Sequence, residues 1–118
     1  MEIDVMGAVW RIEWADDLKG FLEDGDADAV ALAMPLRRTI YIKRDLFKGW
    51  MDAEERGRHL EEVVRHEVIH AFLSECGLDA SNAPAPAWAE NEEMVDWFAL
   101  MWPRIGYATD EALDQLWG

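Results

Sequence analysis

Strand-like segments come first in this chain and helix-like segments follow, which predicts a small α+β domain. Three observations carry that expectation. Residues 9–14, VWRIEW, alternate in the manner of a half-buried strand; residues 38–43, RTIYIK, are β-branched and aromatic. From Asp52 onward, a capping signal precedes apolar residues at helical spacing. The expected architecture is a short, mainly antiparallel sheet of about three strands, a long helix, a second helix and a short C-terminal helix. With 118 residues and 51% hydrophobic content, residues 1–118 suffice for one core and form a single domain.

Taken in order, the first strand covers residues 9–14, with Trp10, Ile12 and Trp14 on one face and Val9, Arg11 and Glu13 on the other. Residues 16–28 are rich in Asp, Glu and Gly and read as loop or a short helix anchored by Leu18, Phe21 and Leu22. Residues 29–33 form a second strand, Pro35 a turn, and residues 38–43 the strongest strand. The long helix opens at Asp52, whose spacing to Glu55 fits a capping box, and stops at Gly77. Residues 78–87, with two prolines, read as a loop. A second helix is expected over residues 88–102, ending near Pro103, and a third from Thr109, carrying Leu113, Leu116 and Trp117.

A net charge of -14 and a pI near 4.4 argue against a nucleic-acid partner, because such a surface repels phosphate. No stretch approaches the length of a membrane span, and no basic segment leads into an apolar run at the N-terminus; the expectation is a cytoplasmic protein. The single cysteine, Cys76, rules out an intramolecular disulfide and reads as a small buried residue. Residues 37–48 are locally basic, with Arg37, Arg38, Lys43, Arg44 and Lys48 against Asp45.

The stretch that carries chemistry is His66-Glu67-Val68-Ile69-His70. Histidines four apart on a helix project from one face, so their rings can meet on one metal ion. The intervening Glu67 would hold a metal-bound water and accept its proton, the role of a general base beside one Zn²⁺. Glu90, Glu92, Glu93 and Asp96 follow as carboxylates for a third ligand. Glu92 and Asp96 share a helical face, which fits Glu92 as metal ligand and Asp96 as the acceptor that orients a ligating histidine; Glu93 is the alternative ligand. His59, a further seven residues before His66, sits about 10 Å away along the helix and reads as a packing residue or a rim contact.

HEVIH followed by NEEMVD resembles the zinc metallopeptidases of the gluzincin type. Its small size is similar to phage-encoded and ImmA/IrrE-like minimal metallopeptidase domains, and the resemblance covers roughly residues 38–102. It departs from the regulator peptidases at Leu100-Met101-Trp102-Pro103, and the extended Gly-His pattern of the metzincins is missing. The resemblance implies a zincin-like fold and a hydrolase that cuts peptide bonds with water activated by Glu67 on zinc. It also implies that the strand before the active-site helix, at Thr39, Ile40, Tyr41 and Ile42, is the edge on which a protein or peptide substrate docks. Tyr41, Arg104 and Tyr107 are available as oxyanion donors, with packing for the tyrosines and charge balance for Arg104 as the alternative readings, and none is assigned to catalysis. The alternative is a catalytically weak zincin-like binding or regulatory module of phage or mobile-element origin. A metal-assisted hydrolase of another amide would use the same residues.

Overall fold

The computed structural model describes residues 1–21, 29–77 and 92–117, except the side chains at 92–96 and 99. Its elements are β1 (Glu2–Val5), β2 (Ala8–Ala15), β3 (Ala31–Met34), β4 (Thr39–Lys43), α1 (Ala53–Glu75) and α2 (Glu92–Trp117). The α+β class stands, but the expected architecture is corrected. The sheet has four strands in the order β1-β2-β4-β3, it is mixed, and it carries two helices in place of the three-helix zincin-like arrangement.

Each difference has a local cause. β1 and β2 form a hairpin through Met6 and Gly7, whose φ angles of 54° and 87° are those of a two-residue primed turn. Gly7 tolerates that conformation freely; Met6 does not advertise it, so the sequence offers little warning of β1. The turn is fastened by the Gly7 N–H donating to Asp4 Oδ1 at 2.9 Å. After β2, the chain returns at β3 on the far edge before β4 fills the gap, leaving β4 parallel to β2 and antiparallel to β3.

α1 begins where expected. Asp52 Oδ1 accepts from the Glu55 N–H at 2.8 Å and Glu55 Oε1 accepts from the Asp52 N–H at 3.1 Å, completing the capping box. Gly77, with φ of 74°, follows its C-terminus. The expected break at Pro103 does not occur: α2 runs through it as one helix, so the separate C-terminal helix is also corrected. Proline removes one backbone hydrogen bond, normally a cost of ~3 kcal/mol in a helix interior. Here Pro103 lies on the exposed face, while Phe98, Met101, Ile105, Ala108, Ala112 and Leu116 keep one apolar stripe on the core across it. Thr109, expected as a cap, is buried mid-helix and its hydroxyl donates back to the Ile105 carbonyl at 2.7 Å. The expected loop over 78–87, the start of the second helix near Trp88 and most of the acidic segment before Ala29 lie outside the described residues.

Both helices pack on one face of the sheet. Ile3, Val5, Trp10, Ile12, Ile40 and Ile42 meet Leu60, Val64, Val68 and Phe72 of α1 and Ile105 and Ala112 of α2. α1 lies over the β3 side and α2 over the β1 and β2 side. On the opposite face Val9 is exposed, and Phe21 stacks on Tyr41 with ring centroids 4.5 Å apart.

Candidate functional site

The phase of α1 is set at its capped start, and the same stripe that buries Leu60, Val64, Val68 and Ala71 carries Glu67 inward. His66 and His70 fall on the exposed flank, one turn apart, with Nε2 atoms 3.1 Å from each other and rings at 68°. That contact is a hydrogen bond in which one ring nitrogen donates and the other accepts. Glu67 is 8% exposed. Its burial pushes the carboxyl above the ordinary carboxylate range, opposed by the neighbouring His66 and by a hydrogen bond from the backbone N–H of Ala33.

The Ala33 contact exposes how the sheet edge is organised. Lys43 N–H donates to the Val30 carbonyl at 2.9 Å, which fixes the alternation of the β3–β4 ladder. Leu32 and Met34 therefore bond inward to their partners Tyr41 and Thr39, while Ala31 and Ala33 turn both backbone groups away from β4. Among the described residues nothing pairs with β3 on that outer side. Glu67 thus caps one of the two outward N–H groups and leaves that of Ala31 on the edge.

Two cavities lie along this seam between β3 and α1. One, of about 370 Å³, is lined by Ala31, His59, Glu62, Val63, His66 and Glu67. The other, of about 290 Å³, is lined by Ala31, Ala33, Pro35, Glu67 and His70. They share Ala31 and Glu67 and so adjoin one another along the seam, a two-part groove.

The zinc expectation is corrected here. Among the described residues, no three His, Cys, Asp or Glu side chains converge so as to hold a metal ion. His66 and His70 meet each other, but among the described residues no third ligand joins them, and a catalytic zinc site takes three protein ligands. The side chains of Glu92, Glu93 and Asp96, expected as ligand, alternative ligand and orienting group, lie outside the described residues, as does Glu90. The chain matches no protein-family model, no curated protein and no solved structure. The gluzincin and ImmA/IrrE-like resemblance therefore finds no support beyond its short motifs, and the readings as a zinc-dependent metallopeptidase and as a metal-assisted hydrolase are not carried forward.

The docking strand is corrected as well. Thr39, Ile40, Tyr41 and Ile42 lie in β4, which is paired on both sides by β2 and β3, so its backbone offers no edge. Ile40 and Ile42 are core, Thr39 is buried, and Tyr41 faces away from the helices. Among the described residues the edge strands are β1 and β3. Arg104 and Tyr107 line a separate cavity of about 600 Å³ with Asp4, Met6, Gly7 and Phe72, which shares no residue with the groove. His59, the packing or rim residue, joins the groove. Cys76 is half-buried with its Sγ 3.1 Å from Met6 Sδ. Among the described residues, no helix is long and apolar enough to cross a membrane.

Sequence reasoning missed Ala31, Ala33 and Glu62. Alanines carry no chemical signature, and their role comes from ladder phase, which depends on a partner strand. Glu75 was also missed: at the end of α1 it accepts from Trp10 Nε1 at 2.7 Å and from Arg38 Nε at 2.8 Å, tying helix to sheet. Those two donors, Arg38 first, hold its carboxyl below the ordinary range.

Proposed function

We propose that this chain is a non-catalytic binding module that holds an extended peptide along the outer edge of β3, against the His66–Glu67–His70 flank of α1. The observation that carries this reading is the outward-facing backbone of Ala31 above two adjoining cavities. An added strand gains main-chain hydrogen bonds from the edge and specificity from alternate side chains. In this role His66 and His70 are rim donors and acceptors for the peptide, and Glu67 holds β3 in place through Ala33. The acidic surface fits a protein partner better than a nucleic acid, and the lone cysteine fits a reducing, cytoplasmic setting.

Titration with blocked, strand-forming peptides tests the reading, followed by backbone amide shifts. Binding should move the amides of Ala31 and its neighbours, and Ala31→Pro should abolish it. Shifts confined to the surface around Arg104 would contradict the assigned edge. New peptide termini in the mass spectrum after long incubation would overturn the non-catalytic part.

A further inference from the structure

Resting on the edge-docking reading, the geometry of the groove selects what its occupant carries: we infer that the cavity beside Glu62 receives a Lys or Arg side chain of the docked peptide. Residues directly opposite each other in neighbouring strands project side chains to the same face of a sheet. Ala31 is paired with Ile42, and both lie on the helix-facing side. A peptide residue opposite Ala31 therefore sends its side chain toward α1, into the cavity of about 370 Å³. The residue two further along stands opposite Ala33, about 7 Å away, and meets the cavity of about 290 Å³ beside Pro35 and His70. Ala31 borders both cavities and Ala33 only the second, so alternate residues of a docked strand meet different surroundings.

The first cavity has the chemistry of a cation site. Val63 offers an apolar wall for a long aliphatic stem, and Glu62, His59 and His66 line the same cavity with polar groups. Glu62 is exposed and joins no ion pair among the described residues. Its helical neighbours at the favourable spacings, Arg58 and Arg65, are instead engaged by Glu54 and Glu61. Small residues on the strand side, Ala29 and Ala31, leave the room that a long side chain needs. The net charge of -14 adds a long-range attraction of the same sign. The second cavity, walled by Ala33 and Pro35, suits a smaller apolar group.

The test uses blocked heptapeptides with an alternating Thr/Val scaffold and Lys, Leu or Glu at the central position. A fluorophore on each peptide reports binding to the full chain by anisotropy at low salt. The Lys peptide should bind about two- to fivefold more tightly than the Leu peptide, the range for a solvent-screened ion pair, and the Glu peptide most weakly. Glu62→Gln should bring the Lys-to-Leu ratio to about one, and Glu62→Lys should make the Glu peptide the preferred one. Circular dichroism of both variants establishes that they fold. Equal binding of all three peptides by the wild-type chain, or a Lys preference that survives Glu62→Gln, overturns the inference while leaving edge docking intact. No binding of any peptide, with Ala31→Pro indistinguishable from wild type, overturns the docking reading and the inference with it.

Discussion

The two outer strands of the sheet are treated in opposite ways. On β1 the Ile12 N–H donates to the Met1 carbonyl at 3.1 Å, a ladder phase that turns the backbone of Glu2 and Asp4 outward. There the outward carbonyl of Glu2 accepts from Gln115 Nε2 at 2.7 Å, and both outward residues carry exposed carboxylates. Capping and charge are standard ways of keeping a sheet edge from pairing with another chain. On β3 the outward residues are Ala31 and Ala33, uncharged, with Ala31 left on the edge above a groove. Among the described residues, the β1 edge is thus capped and charged, whereas on β3 only Ala33 is capped, by Glu67.

The same contrast runs along α1 in its two sheet-facing carboxylates. Glu67 is buried under the open edge and its carboxyl is pushed up, so its ionised form opposes folding. Glu75 ties Trp10 and Arg38 near the other end of the helix and its carboxyl is held down, so its ionised form supports folding.

The largest effect should come from Ala31→Pro. Its N–H takes no part in the β3–β4 ladder, so proline removes the outward donor without breaking an internal bond. Peptide affinity should fall by more than about tenfold with the circular dichroism spectrum preserved, whereas Glu2→Pro on the guarded edge should leave affinity unchanged. Equal losses from both substitutions would erase the distinction between the edges.

Glu75→Ala comes next. It strands the buried indole N–H of Trp10 and should cost about 1–3 kcal/mol in urea unfolding at pH 7. Glu75→Gln keeps an acceptor for Trp10 and loses the charge together with the long bond from Arg38 Nη2 at 3.4 Å. Because Arg38 is 56% exposed and solvent screens the pair, that loss should be under about 1 kcal/mol. Since the folded-state pKa is depressed, the charge contributes above the ordinary carboxylate range and its benefit fades as pH falls through the folded value.

Much of this architecture was legible beforehand, and the exceptions share a cause. The α1 cap at Asp52, the stop at Gly77 and the strand character of VWRIEW and TIYIK follow from local preferences, and the structure keeps them. The HEVIH stretch falls on α1 as its spacing required, but helical spacing cannot show that Glu67 turns toward Ala33, because that depends on where β3 lies. Strand order is likewise invisible locally: TIYIK is an excellent strand, and its quality reflects a central position with Ile40 and Ile42 in the core, not an edge. Pro103 misled because its cost is local and the apolar stripe that overrides it spans α2 on both sides.

Opening the guarded edge gives a smaller effect. Gln115→Ala removes the bond to the Glu2 carbonyl and should cost about 1 kcal/mol. Combined with Glu2→Thr and Asp4→Thr, it should produce concentration-dependent association in sedimentation velocity, which the wild-type edge suppresses. The smallest expected change has the opposite sign. Glu67→Gln should raise the melting temperature at pH 7, because the charged form is penalised above the ordinary carboxylate range. The gain should vanish below pH about 4, where the carboxyl is neutral in both folded and unfolded chains.

The most direct test of the open-edge account is hydrogen exchange resolved at single amides of β3. Without peptide, the Ala31 amide should exchange fast while those of Leu32 and Ala33 are protected, by the β4 ladder and by Glu67 respectively. Saturating strand-forming peptide should slow Ala31 to the level of its neighbours. An Ala31 amide already protected in the free chain, or one that peptide leaves unchanged, would contradict the account.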